Sequence, residues 1–62
     1  MNKRERVAVR RLADLAQNLL DLFTSDEVTR FYETAAKHGF ESPNMNHQKA
    51  QSIIDKAREV VP

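Results

Sequence analysis

Between Val7 and Phe23 the chain repeats apolar residues in two adjacent helical seams, and this double seam limits the folds open to it more than any other feature. Ala8, Leu12, Leu15, Leu19 and Leu22 recur at spacings of four, three, four and three, and Val9, Ala13, Ala16, Leu20 and Phe23 repeat that rhythm one residue later. Residues three and four apart share a helix face, so the two seams merge into a stripe wider than an amphipathic helix normally carries. Only Arg10, Arg11, Asp14, Gln17, Asn18 and Asp21 remain for water. Such a helix is expected to be sandwiched, with its own chain on one side and a second copy or a partner on the other. The spacing does not say which seam faces which.

Size strengthens the same expectation. The chain has 62 residues and no cysteine. A domain of this length buries only about 60% of the surface its unfolded chain exposes, and its core rarely supplies more than about 3–5 kcal/mol. Without cysteine there are no disulfides and no thiolate metal sites. His38 and His47 stand nine residues apart with no acidic cluster near both, so no metal or cofactor is expected. Association with itself or a partner is the expected supplement. No run of about 20 apolar residues occurs, which argues against a membrane span. The basic start Lys3-Arg4-Glu5-Arg6, passing through Val7-Ala8-Val9 to Arg10-Arg11, carries no signal-peptide core, so a cytoplasmic location is expected.

The pattern predicts a single all-α domain over residues 1–62, with three helices near 3–23, 25–38 and 44–61 and the first the longest. Thr24-Ser25-Asp26-Glu27 carries a capping box, with Phe23 and Val28 placed for a hydrophobic staple. Helix two is expected to bury Val28, Phe31, Tyr32, Ala35 and Ala36. It is expected to stop at Gly39, the only glycine, with Phe40 packed back on Ala35. Ser42, Asn44 and Asn46 are each credible N-caps for helix three, and Pro43 suits the first helical position if Ser42 is the cap. Its expected apolar face is Ala50, Ile53, Ile54, Ala57, Val60 and Val61, with Met45 at the entrance and Gln48, Lys49, Gln51, Ser52, Asp55, Lys56, Arg58 and Glu59 outward.

A net charge of +1 hides an asymmetry: residues 1–11 sum to +4 and residues 12–62 to −3. The basic end suits phosphate or an acidic protein surface. Arg4, Arg6, Arg10, Arg11 and Lys49 are therefore candidate nucleic-acid contacts, but no aromatic residue interleaves them for base stacking. Ala35 and Gly39 sit at the spacing of a helix-turn-helix, yet the interval to helix three exceeds the three or four residues of that turn. Membrane-surface attachment by helix one is disfavoured by Asp14 and Asp21 on its polar face and by the lack of tryptophan. Glu33, His38, Glu41 and His47 cluster along the sequence without a nucleophile, a phosphate loop or metal-ligand spacing, so no catalysis and no small-molecule substrate are expected.

These readings converge on a non-enzymatic helical interaction or regulatory protein, expected to form a helical homodimer or to bind a protein partner. The candidate interface is Val9, Leu12, Leu15, Ala16, Leu19, Leu22 and Phe23. The alternative is a nucleic-acid-binding regulator using the basic first helix or the second and third helices.

Overall fold

The computed structural model describes residues 1–60, and they form three helices: α1 (Lys3–Asp21), α2 (Ser25–Lys37) and α3 (His47–Val60). The expectations for Val61 and Pro62 lie outside the described residues. Asn2 caps α1, its side chain accepting the Glu5 amide at 2.8 Å. Leu22 and Phe23, expected inside the first helix, instead follow its end, where their amides donate to the Leu19 and Leu20 carbonyls at 3.3 Å. The capping box accounts for the early stop. Thr24 takes an extended backbone (φ −72, ψ 160), so the helix must end before it. The Thr24 hydroxyl then accepts the Glu27 amide at 3.2 Å, and the Glu27 carboxylate accepts the Thr24 amide at 3.1 Å.

Gly39 ends α2 in the left-handed region at φ 79. The Phe40 amide donates to the Ala35 carbonyl at 2.8 Å and the Gly39 amide to Ala36 at 3.1 Å, the paired bonds of a Schellman stop. Of the three candidate caps for α3, Asn46 is the one used. Its side chain accepts the Lys49 amide at 2.9 Å, while Ser42 closes a turn around Pro43 by accepting the Met45 amide at 3.2 Å.

α3 packs against both other helices, whereas α1 and α2 touch sparsely after their shared junction. The buried core is thin: Ala13 and Leu20 from α1, Val28 from α2, and Ala50 and Ile54 from α3, flanked by Ala16, Tyr32, Met45 and Ala57. Four expectations of burial are corrected. Phe31 is exposed because it faces the gap where α1 and α2 diverge, and Ile53 is exposed at the rim of the apolar groove beside Ile54. Val60 stands exposed in the last turn of α3. Phe40 completes the stop with its backbone alone, leaving its ring 85% exposed rather than on Ala35. The radius of gyration is 13.0 Å, against about 11 Å for a compact chain of this length. Part of the difference comes from α1, whose residues from Lys3 to Ala8 are all exposed.

Candidate interaction surface

The structure separates the two seams of α1. Ala13 and Leu20 are buried and Val9 and Ala16 half-buried, so this seam faces α2 and α3. The neighbouring seam faces outward, with Leu12 63%, Leu15 54%, Leu19 52% and Leu22 73% exposed. The candidate interface residues therefore divide. Leu12, Leu15, Leu19 and Leu22 form a continuous outer row, Val9 and Ala16 belong to the inner seam, and Phe23 sits at the junction.

The outer row runs into an open groove between α1 and α2, lined among others by Ala16, Leu19, Phe23, Val28 and Phe31. Phe23 and Phe31 meet edge to face across it, centroids 5.2 Å apart and rings at 88°, the arrangement that the ring quadrupoles favour. A second groove shares Ala16, Leu20 and Tyr32 with the first and continues to Met45 and Ile53. The apolar surface thus extends from the leucine row across the mouth of the bundle. Phe31 and Ile53 belong to it although their helical spacing points to the core.

The opposite flank of α1 is polar and tied down. The Gln17 side-chain amide donates to Gln51 at 2.9 Å and accepts from it at 2.6 Å, and Arg58 donates to Gln17 at 3.1 Å. Arg58 also pairs with Asp14 at 3.1 Å. The Arg58 and Asp14 side chains keep 39% and 58% of their surface in solvent, so the pair is screened and contributes little on its own. Gln17, Gln51 and Arg58, expected to face water, are half-buried across the α1–α3 contact instead. No periodic signal marks a glutamine that bonds across helices, because it occupies the same polar positions as a solvated one.

Arg4, Arg6, Arg10, Arg11 and Lys49 are all exposed. Arg4 and Arg11 gather with Lys3 around a shallow hollow floored by Val7 and Ala8. Arg6 and Arg10 are four residues apart on another face of α1, and Lys49 stands on α3, so the five do not form one patch. None of them takes part in an ion pair among the described residues.

The Glu27 carboxyl has a displaced pKa. The Thr24 amide and hydroxyl bonding, aided by Arg30, holds its carboxyl below the ordinary glutamate range. This is a consequence of capping and marks no chemistry. Among the described residues no three His, Asp or Glu side chains are grouped to hold a metal, and no helix is long and apolar enough to cross a membrane. The connection between α2 and α3 spans residues 38–46, longer than a helix-turn-helix turn. No known protein family, characterised protein or solved structure matches this chain.

Proposed function

We propose that this is a small non-enzymatic interaction or regulatory protein of the cytoplasm, acting by binding a protein partner, or itself, through the outer apolar face of α1. The carrying observation is the exposed row Leu12, Leu15, Leu19 and Leu22, continuous with Phe31 and the α1–α2 groove. Contiguous exposed apolar surface on a small protein marks an interaction site. Surface area supports the reading. The chain exposes 5107 Å², against about 4,100 Å² for a folded monomer of its mass. The excess of roughly 1,000 Å² reflects an open chain that leaves apolar residues such as Leu12 and Leu22 outside its own core.

The test is a pair of variants compared for fold and for binding. Leu12→Lys with Leu19→Lys should retain helical circular dichroism, because neither side chain is in the core, and should lose association measured by sedimentation equilibrium or by capture of purified partner. An equally well-folded variant that binds as tightly as the parent would sink the proposal.

One observation favours a second reading, binding of nucleic acid: Lys3, Arg4 and Arg11 are gathered on a stretch of α1 clear of the bundle. Affinity for duplex DNA would then fall with salt at a log–log slope near −0.9 per phosphate neutralised. Reversing Arg4 and Arg11 to Glu would abolish it, while the leucine-to-lysine variants, which add positive charge to the same helix, would not weaken it.

A further inference from the structure

We infer that the occupant of the leucine face is a second copy of this chain, with the two α1 helices antiparallel; this rests on the reading of that face as an interaction surface. Charge distribution and side-chain fit both favour this pairing. Residues 1–11 carry Lys3, Arg4, Arg6, Arg10 and Arg11 against Glu5, a net +4. Residues 12–27 carry Asp14, Asp21, Asp26 and Glu27 and no lysine or arginine, a net −4. α1 with its junction to α2 is therefore a rod with opposite charge at its two ends. Parallel pairing sets +4 beside +4, whereas antiparallel pairing sets each basic end beside the partner's acidic end.

The helix dipole acts in the same direction. α1 has its cations at the N-terminal end, where the dipole opposes them, and no basic residue in its last turn, where the dipole calls for one. An antiparallel second copy in the leucine register brings Arg11 toward that uncompensated C-terminal end and toward the acidic junction that carries Asp26 and Glu27. Each chain thereby supplies to the other the charge its own helix lacks.

The leucine spacing supplies the register. Leu12, Leu15, Leu19 and Leu22 alternate three and four, and an antiparallel copy centred at the level of Gln17 sets Leu12 opposite Leu22 and Leu15 opposite Leu19. All four leucines of each chain then bury against leucine, in the manner of a short coiled-coil seam. The flanking Phe31 and the α1–α2 groove lie beside the same face and extend the contact.

Because the chain lacks cysteine, orientation can be read by disulfide capture. Leu12→Cys and Leu22→Cys chains, mixed and oxidised, should form the mixed disulfide, while neither variant alone links to itself. Sedimentation equilibrium of the unmodified chain at tens of micromolar should give twice 7.2 kDa. That association should weaken as salt shortens the Debye length from about 30 Å at 0.01 M to about 3 Å at 1 M. Self-linked Leu12→Cys dimers, or association strengthened by salt, would mean parallel pairing and overturn the inference. A chain that stays monomeric while its leucine face binds a different purified protein would also overturn it, leaving the proposed function standing. A monomer that binds only DNA, lost on Arg4 and Arg11 reversal, would bring down both.

Discussion

Gln17 of α1 and Gln51 of α3 exchange two side-chain hydrogen bonds, at 2.9 and 2.6 Å, and this reciprocal amide pair is the polar centre of the α1–α3 contact. Asp21 accepts from Gln17 and Asp55 accepts from Gln51, at 2.9 and 3.1 Å, while Arg58 reaches Gln17 and Asp14. With no buried side-chain nitrogen or oxygen left unsatisfied among the described residues, the network orients the two helices without an uncompensated polar group.

A double-mutant cycle on this pair is the first expectation. Gln17→Ala and Gln51→Ala should each destabilise the fold by about 0.5–1.5 kcal/mol per hydrogen bond lost. Their combined effect should fall short of the sum by roughly 0.5–3 kcal/mol, as for residues in direct contact. Urea melts of the four proteins measure this, and strict additivity would show that the two amides do not meet.

The capping box gives a second prediction with a defined pH sign. Thr24→Ala should cost about 0.5–2 kcal/mol by uncapping α2. Glu27 has a folded-state pKa below its unfolded one. Its contribution is therefore fully present above the unfolded pKa and is lost as pH falls through the folded pKa. Glu27→Gln keeps the hydrogen-bonding shape without the titration. Parent and variant should differ most in melting temperature at neutral pH and converge on acidification below the ordinary glutamate range. A difference that is constant with pH would contradict the assignment.

Much of this fold could be read from local chemistry, because helix boundaries are set by neighbours in sequence. Thr24 with Glu27, and Gly39 after Lys37, mark their stops through bonds that reach only a few residues. The leucine row was also legible, as one of two seams. What could not be read was the sidedness, since Leu19 and Leu20 are the same residue one step apart and only the position of α3 makes one a surface and the other a core. Phe31, Ile53 and the Gln17–Gln51 pair were misread for a related reason. Their environment depends on how far α2 diverges from α1 and where α3 lies, which are properties of tertiary packing.

Gly39 tests the helix stop directly. At φ 79 a side chain is strained, although an added Cβ would meet no atom within 4 Å. Gly39→Ala should therefore cost about 1–2 kcal/mol, the backbone penalty of the left-handed region alone. Gly39→Asn should cost less, since asparagine tolerates that region. Equal stability of glycine and alanine variants would mean that the chain leaves α2 by a different path.

The sharpest contrast lies between adjacent leucines of α1. Leu20 is 8% exposed and Leu19 is 52% exposed. Leu20→Ala removes core packing worth about 2–5 kcal/mol, comparable to the whole stability available to a domain this small, about 3–5 kcal/mol. It should leave the chain largely unfolded at 25 °C. Leu19→Ala, measured at concentrations too low for association, should change stability by no more than about 0.5 kcal/mol, as for other surface positions. At high concentration the order of magnitude changes for Leu19 alone, because its truncation then also removes interface contact and stability becomes concentration-dependent. Chemical denaturation of both variants at two protein concentrations separates these effects. Equal destabilisation of the dilute variants would place both seams in the core and remove the exposed face on which the interaction reading stands.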